Sequence, residues 1–287
     1  MTAIDFRGFA RRRLQSISSL LSSAYFAGPE LSDALTTYDR FVEQGLRGTI
    51  GYFNQPGQPA REIADRDLAI LAALAERGHG YLSIKAPPMR YDPALIDEIA
   101  LQADKRQVGI HFDAHAIETT DPTFAAIEVA LRRTPQVGCT LPGRWPRSIA
   151  DVDWAIERKL RVRVVKGQWA DPANPDFDPE AGYLDVIRQL AGKASAVAVA
   201  THNPQLAQRA ITLLQAHGTP CELELLFGLP MRAVTTVGHY FKVPIRVYIP
   251  FGAAWMPYAL SQLYRKPSLL TWVIRDLVAV SLPRLRR

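Results

Sequence analysis

The stretch RVRVVKG, residues 161–167, sets the pattern by which the rest of the sequence is interpreted. Its valines are β-branched residues that favour a strand, and its glycine ends the run. Amphipathic segments with helical periodicity lie between this run and its counterparts. Strands that alternate with helices pair in parallel through right-handed crossovers, so eight such units predict a (β/α)8 barrel of the TIM type. The other seven runs are GTIGYF (48–53), GYLSIKA (80–86), QVGIHFDA (107–114), QVGCTLP (136–142), AVAVATH (196–202), CELELLF (221–227) and IRVYIPF (245–251).

The main alternative fold is an open, doubly wound sheet, which would need a glycine-rich turn after its first strand. The sequence after GTIGYF reads NQPGQPA and contains no such turn. We therefore predict one barrel domain over residues 45–287, preceded by an N-terminal helical arm over residues 1–44. The last helix, from about residue 255, is expected to lie over the mouth of the barrel.

The composition is that of a soluble globular protein, with 48% hydrophobic residues and a net charge of +6. This basic excess suits nucleic acid, an anionic membrane or a phosphate-bearing ligand and selects none of them. Part of the positive charge lies in the two terminal segments, where basic residues are commonly just solvated. We therefore expect no nucleic-acid partner. Residues 268–287 are compatible with a helix packed on the domain or with a peripheral membrane contact through their basic end. Cys139 and Cys221 lie in apolar runs, so we expect buried thiols and a reducing, cytoplasmic setting.

Polar side chains collect at the ends of the predicted strands, where TIM barrels carry their active sites. Together they predict a polar, largely cationic cup. The residues are Lys85, Asp113, His115, Arg163, Lys166, Thr201, His202, Asn203, Glu224 and Tyr248.

Two kinds of site fit this cup. In the first, a metal-dependent hydrolase, His111, Asp113 and His115 alternate along one strand face and bind a metal together with His202. The neighbouring cations would repel a divalent metal and argue against this site. In the second, the cations face an anionic organic cofactor or substrate. Basic groups near an isoalloxazine ring stabilise a reduced flavin, although composition alone does not separate a flavin from a sugar phosphate.

Seven motifs, in order along the chain, resemble those of the proline dehydrogenase family, the flavin-dependent barrels that oxidise proline to pyrroline-5-carboxylate. The resemblance extends from about residue 25 to about residue 265 and implies a distorted barrel with non-covalent FAD. FMN stays open. The motifs are YFAGPELSDAL (25–35) with the following GLRGTIGYF, LSIK ending at Lys85, FDA with Asp113, RVVKG (163–167), ATHN (200–203), ELELLFGLP (222–230) and YIPFG (248–252).

The resemblance also implies a role for each motif. Arg163 would lie against the reactive nitrogen of the flavin, and Arg161 is expected in a salt bridge on the outer wall of the barrel. The predicted catalytic residues are Lys85, Asp113, Arg163 and Tyr248. The predicted cofactor-binding residues are Arg163, Val165, Lys166, Gly167, Trp169, Thr201, His202 and Asn203. The predicted substrate-binding residues are Lys85, Leu226, Tyr248, Tyr258, Ser261 and Gln262.

The chain departs from the family where the carboxylate of proline would bind. The family's last helix carries Tyr-x-x-Arg-Arg, whereas YALSQLYRK here keeps Tyr258 and places Ser261 and Gln262 at the arginine positions. A hydroxyl and an amide cannot replace a bidentate guanidinium clamp, and the loss should cost about 1.5–3 kcal/mol per hydrogen bond to a charged group. Arg265, one helical turn later, could restore part of the clamp if the helix shifts.

Further departures lie around the cofactor motifs. Gly51 replaces a strand-one aspartate, Pro142 stands where the family has a flavin-contacting glutamine, and His115 replaces a glutamate. Because the cofactor motifs are mostly kept and the clamp is lost, we expect oxidation of an amine or proline-like substrate to an imine. The carboxyl of that substrate would be masked, carrier-bound or absent, and the electron acceptor would be a quinone or oxygen. The alternatives are the metal-dependent hydrolase and a homologue that binds flavin without catalysis.

Overall fold

The computed structural model describes residues 26–78 and 80–252. Within them, eight parallel strands close into a barrel in chain order, with β1 hydrogen-bonded to β8. The predicted (β/α)8 architecture is confirmed. The strands are β1 (Arg47–Phe53), β2 (Gly80–Ile84), β3 (Gly109–Phe112), β4 (Val137–Pro142), β5 (Arg161–Val165), β6 (Ala196–Ala200), β7 (Cys221–Leu226) and β8 (Ile245–Gly252).

Among residues 26–78 and 80–252, one α-helix precedes the barrel and one follows each of the first seven strands. Local sequence explains several helix starts, because Asp92, Asp178 and Asn203 each accept hydrogen bonds from first-turn amides and each precedes a proline. The helices are α1 (Leu31–Glu43), α2 (Ala60–Arg77), α3 (Pro93–Arg106), α4 (Thr120–Leu131), α5 (Arg147–Glu157), α6 (Pro179–Leu190), α7 (Pro204–Ala216) and α8 (Arg232–Tyr240).

Helix α1 packs against β1 and β8, the place that the helix after β8 takes in a regular barrel. Its fully buried Tyr38 donates a hydrogen bond to the carbonyl of Gly78. A Cβ at Gly48 would lie 2.3 Å from the Tyr38 ring, so only glycine permits this close approach. Of the predicted N-terminal arm, residues 1–44, the structure describes residues 26–44, which contain this helix.

The apolar core lies between the outer face of the barrel and the helices. On β5, Val162 and Val164 face the helices and are fully buried. Arg161 and Arg163 alternate with them and therefore point into the barrel. The salt bridge predicted for Arg161 is present, but its predicted place on the outer wall is wrong, because the strand alternation puts Arg161 on the same inner face as Arg163.

Charged side chains fill the interior of the barrel near the amino ends of the strands. Arg161 lies 2.9 Å from a carboxylate oxygen of Glu224 and also pairs with Glu222. Arg246 pairs with Glu222 at 2.7 Å and donates to the carbonyl of Gly48 at 2.7 Å. Burial alone would raise the pKa of Glu222, but the two arginines outweigh burial and hold it at about 2. The interior is therefore an alternating stack of arginine and carboxylate charges.

The structure also bears on membrane-spanning helices and on the two cysteines. Across residues 26–78 and 80–252, no helix has the length and apolar character needed to cross a membrane. Cys139 is buried as expected, whereas Cys221 is half-buried because it is the first residue of β7. Both are free thiols.

Candidate active site

A cavity of about 420 Å³ lies at the carboxyl ends of the strands. That volume falls within the usual range for small-molecule and cofactor sites, and its position is the one that TIM barrels use for catalysis. Every strand, or the residue directly after it, contributes to the lining. These residues are Phe53, Lys85, Asp113, Thr140, Arg163, Thr201, Glu224 and Tyr248.

Asp113 is the centre of the cavity floor. Its Oδ1 accepts hydrogen bonds from Ser83 Oγ at 2.6 Å and from Arg163 Nη1 at 2.7 Å. Its Oδ2 accepts one from the Tyr248 hydroxyl at 2.8 Å and lies 3.2 Å from Lys85 Nζ. Burial alone would raise the pKa of Asp113, but Lys85 and Arg163 outweigh burial and hold it at about 2. The carboxylate is therefore ionised and orients four neighbouring groups.

Lys85 lies beside this carboxylate with little exposure. Its ammonium donates a hydrogen bond to the Tyr248 hydroxyl at 2.9 Å and lies 3.9 Å from the centre of the Phe53 ring. Burial lowers the pKa of Lys85, and Asp113 opposes that shift. A Cβ at Gly51 would lie 2.2 Å from the Tyr248 hydroxyl oxygen and 3.3 Å from Lys85 Nζ. The glycine thus provides the space in which these two groups meet.

Arg163 lies between two carboxylates. Besides its bond to Asp113, its Nη2 is 2.6 Å from Glu224 Oε1. The side chain is buried, and its Nε has no hydrogen-bond partner among the described residues. A buried donor without a partner costs about 1–3 kcal/mol. A ligand in the cavity that accepts from this nitrogen would therefore bind favourably.

The side chains of the metal-site alternative lie in different environments. His111 is fully buried inside the barrel, 3.0 Å from Thr140 Oγ1 and 3.1 Å from Arg161 Nη1. Burial and Arg163 lower its pKa well below the usual value. In the part of the chain that the structure describes, no group of three or more His, Cys, Asp or Glu side chains could hold a metal ion. The residues of the metal-site alternative therefore do not form such a group.

His202 lines the cavity, but both of its ring nitrogens are in use. Its Nδ1 donates to the carbonyl of Pro230 at 3.0 Å, and its Nε2 accepts from the amide of Leu226 at 2.9 Å. These bonds place the proton on Nδ1, and burial lowers the pKa of the ring. The side chain ties the loop after β6 to the end of β7.

His115 also lines the cavity, but, unlike His202, it has a ring nitrogen without a hydrogen-bond partner among the described residues. That nitrogen, Nε2, is buried. Burial, together with Lys85, lowers the pKa of His115 to about 4. The imidazole is therefore neutral at physiological pH and can serve as a hydrogen-bonding group.

The loop after β5 forms one wall of the cavity. Arg144 Nε donates to the carbonyl of Gly167 at 3.2 Å, and Trp145 Nε1 donates to the carbonyl of Trp169 at 2.8 Å. Gly167 has a φ of +90°, and a Cβ there would lie 2.9 Å from Pro142 Cβ. The stretch LPGRW (141–145) ends β4 and contains Pro142, where the chain departs from the family pattern. Its Arg144 and Trp145 thus hold the loop after β5 in place.

Most of the predicted site residues described by the structure lie together. Two do not line the cavity: the ammonium of Lys166 pairs with Glu180 at 2.7 Å, and the Asn203 side chain caps α7. Tyr258, Ser261, Gln262 and Arg265 fall outside the described residues. The predicted site residues that line the cavity are Lys85, Asp113, Arg163, Val165, Gly167, Trp169, Thr201, His202, Leu226 and Tyr248.

The charge balance of the cavity differs from the prediction. Lys85 and Arg163 are matched by Asp113 and Glu224, so the described part of the cup is balanced and the expected cationic excess is wrong. The sequence placed Glu224 in the cup without a catalytic or binding role, and it did not identify Ser83. Ser83 lies two residues before Lys85, and this two-residue alternation was the signal that could have identified it.

No model of a known protein family matches this sequence. The chain is 22% identical over 274 residues to proline dehydrogenase 1 of Bacillus subtilis subsp. natto, covering 88% of this chain and 89% of that protein. It is 22% identical over 289 residues to proline dehydrogenase 2 of Bacillus subtilis (strain 168), covering 94% and 95%. It is also 22% identical over 283 residues to proline dehydrogenase of Deinococcus radiodurans, covering 90% of each chain.

Solved structures share the fold at lower sequence identity. Proline utilization A from Bdellovibrio bacteriovorus, inactivated by N-propargylglycine, superposes with a TM-score of 0.79 at 14% identity, over 96% of this chain and 36% of that one. Proline utilization A from Corynebacterium freiburgense gives a TM-score of 0.66 at 18% identity, over 93% and 33%. The chain thus spans about a third of the length of these larger proteins.

Proposed function

We infer that this chain, a divergent member of the proline dehydrogenase family, is a flavin-dependent oxidoreductase that oxidises the C–N bond of an amine or proline-like substrate to an imine. The observation that carries this proposal is the cavity floor. Lys85, Arg163 and Tyr248 all contact the Asp113 carboxylate within 3.2 Å. These four residues, from four different strands, are the ones to which the family resemblance gives a catalytic role.

The residues of the cavity fit a flavin, and we propose non-covalent FAD. Arg163 Nε is a buried donor without a partner among the described residues, and Gly167 lines the cavity with no side chain that could fill it. A bound flavin would accept two electrons from the substrate. The residues proposed to lie along it are Arg163, Val165, Gly167, Trp169, Thr201 and His202.

The chain's own side chains prepare the site in three ways. The ionised Asp113 fixes the ammonium of Lys85 and the guanidinium of Arg163. Burial raises the pKa of Tyr248 well above the usual value, so its phenol stays protonated and donates to Asp113. Apolar lining from the end of β7 and the loop that follows it, including Leu226 and Leu229, limits water at the reacting centre. Such positioning and desolvation are what the protein supplies to a cofactor reaction.

The substrate is proposed to lack a free carboxylate. Among the described residues, both cations that line the cavity already have carboxylate partners: Lys85 pairs with Asp113, and Arg163 pairs with Asp113 and Glu224. Their positive charges are therefore already balanced, which weakens their attraction for a further anion. The sequence adds a serine and a glutamine where the family has its arginine clamp. An amine with a masked, carrier-bound or absent carboxyl group satisfies both observations.

The chain after Gly252 is proposed to complete the site. Because α1 already packs against β1 and β8, the following segment is not needed on that part of the barrel wall. We propose that it covers the mouth and brings Tyr258, Ser261 and Gln262 to the substrate. The proposed setting is cytoplasmic, with a quinone or oxygen as electron acceptor.

The test begins with the absorbance spectrum of the purified protein. Flavin bands that are released on denaturation support non-covalent binding, and their absence contradicts the proposal. Anaerobic bleaching with L-proline, L-prolinamide and pyrrolidine then identifies the substrate class. We expect the two amines without a carboxylate to bleach the flavin faster than L-proline does. A bound flavin that none of a wider amine panel bleaches would indicate the non-catalytic alternative.

A matched variant tests the missing clamp. Changing both Ser261→Arg and Gln262→Arg should improve turnover of L-proline, because paired guanidinium groups bind a carboxylate through two parallel hydrogen bonds. Fast oxidation of L-proline by the unaltered protein would contradict the proposed substrate class and point to Arg265 as the carboxylate ligand.

A further inference from the structure

We propose that Glu224 lowers the reduction potential of the flavin in this barrel by offsetting the positive charge of Arg163. The inference rests on the proposed function, since it concerns the cofactor of the same cavity. Glu224 lines the cavity and is 3% exposed. Its carboxylate oxygens lie 2.6 Å from Arg163 Nη2 and 2.9 Å from Arg161 Nη2. It is thus a fixed negative charge on the cavity floor.

The sign of its effect follows from electrostatics. Two-electron reduction adds negative charge to a flavin, so a nearby cation favours the reduced form and a nearby anion favours the oxidised form. Arg163 is the cation on the floor that still has a donor directed at no described residue. Each carboxylate that pairs with it reduces the positive field that reaches the cofactor. Removing the charge of Glu224 should therefore favour the reduced flavin.

Glu224 is ionised in the folded protein. Burial alone would raise its pKa, but Arg163 and Arg161 outweigh burial and lower it. Because the carboxylate forms ion pairs with both Arg161 and Arg163, it cannot turn away from the cavity without breaking one of them. Its charge is therefore constant over the neutral pH range in which the potential would be measured.

Glu222 offers a matched control. It lies two residues earlier on β7, faces the same interior and is 7% exposed. It pairs with Arg161 and Arg246 rather than with Arg163, and it does not line the cavity. The two glutamates therefore share chemistry and burial but differ in distance from a bound cofactor.

The experiment compares the two-electron potential of three holoenzymes: the unaltered protein, Glu224→Gln and Glu222→Gln. Glutamine keeps the shape and removes the charge. In Glu224→Gln, we expect the equilibrium constant for reduction to rise about tenfold, as expected of one unit charge about 12 Å away at an effective dielectric of about 20. For a two-electron couple this is an increase of about 30 mV. Glu222→Gln should raise the constant only about fourfold, because two strand residues place its charge about 7 Å further away. An anaerobic titration against a reference dye measures each value.

Each outcome decides the proposal. A rise in Glu224→Gln that clearly exceeds the rise in Glu222→Gln supports it, and equal or absent shifts overturn it while leaving flavin binding intact. If the unaltered protein binds no flavin, the proposed function fails, and this inference fails with it. Circular dichroism verifies that each variant is folded. Should Glu224→Gln not fold, Glu224→Met removes the same charge without an unpaired amide and must show the same rise.

Discussion

Gly51→Ala is the substitution that tests the geometry of the cavity floor most directly. The added Cβ would lie 2.2 Å from the hydroxyl oxygen of Tyr248 and 2.8 Å from its Cζ, whereas ordinary contact begins at 3.4 Å. The hydroxyl must therefore move by about 1.2 Å. A shift of that size lengthens and weakens its hydrogen bonds with Lys85 and Asp113, which now lie 2.9 and 2.8 Å away.

The expected magnitude follows from these contacts. A hydrogen bond to a charged group is worth about 1.5–3 kcal/mol, and overpacking a site typically costs about 1–3 kcal/mol. Because water in the cavity replaces part of the lost bonding, we expect Gly51→Ala to lower the free energy of unfolding by about 3–5 kcal/mol. Tyr248→Phe removes the oxygen that clashes, so the alanine should cost less in that background.

A double-mutant cycle measures this coupling. Urea unfolding of the unaltered protein, Gly51→Ala, Tyr248→Phe and the double variant gives four free energies, and we expect a coupling of at least about 1 kcal/mol. If the two single effects add within about 0.5 kcal/mol, the close approach of Gly51 to the Tyr248 hydroxyl does not control this site.

Four further measurements address other parts of the structure. The folded pKa of Asp113, about 2, lies below its usual 3.8, so its stabilisation of about 2.4 kcal/mol is present above about pH 4 and is lost as the pH falls towards 2; the acid limb of the unfolding profile should be smaller by about this amount in Asp113→Asn, and Glu222 and Glu224 should supply what remains. Arg163→Gln should slow flavin bleaching at least about tenfold while changing apparent substrate affinity less than about threefold, because charge stabilisation acts mostly as the flavin is reduced; equal losses would argue for a binding role. Asn203→Ala should lower the free energy of unfolding by about 1 kcal/mol through loss of the α7 cap and leave flavin content unchanged, and loss of flavin without loss of stability would instead support the cofactor role predicted from the sequence. Chelation with EDTA should alter neither the Tm nor the bleaching rate, and a fall in either would revive the metal-site alternative.

Several site residues were accessible from sequence because their positions are properties of one strand. Lys85 and Tyr248 follow apolar runs whose alternation is visible in the sequence, and the barrel architecture brings such positions to one end. Lys166 lies three residues after Arg163, so strand alternation directs the two side chains to opposite sides. Lys166 therefore pairs with Glu180 on α6 and does not line the cavity.

The sequence by itself determined the order of strands and helices, the barrel and the end at which the polar residues meet, because hydrophobic periodicity and strand alternation are local properties. Only the tertiary structure decided which charges neutralise one another. Arg161 lies inside the barrel against Glu222 and Glu224 of β7, and Glu224 also reaches Arg163. These partners lie on strands far apart in the chain, and the energy of an ion pair depends on distance in space and on burial, neither of which a local pattern contains. For that reason the positive charges of Arg161 and Arg163, which are conspicuous in the sequence, are neutralised by carboxylates of other strands in the folded protein.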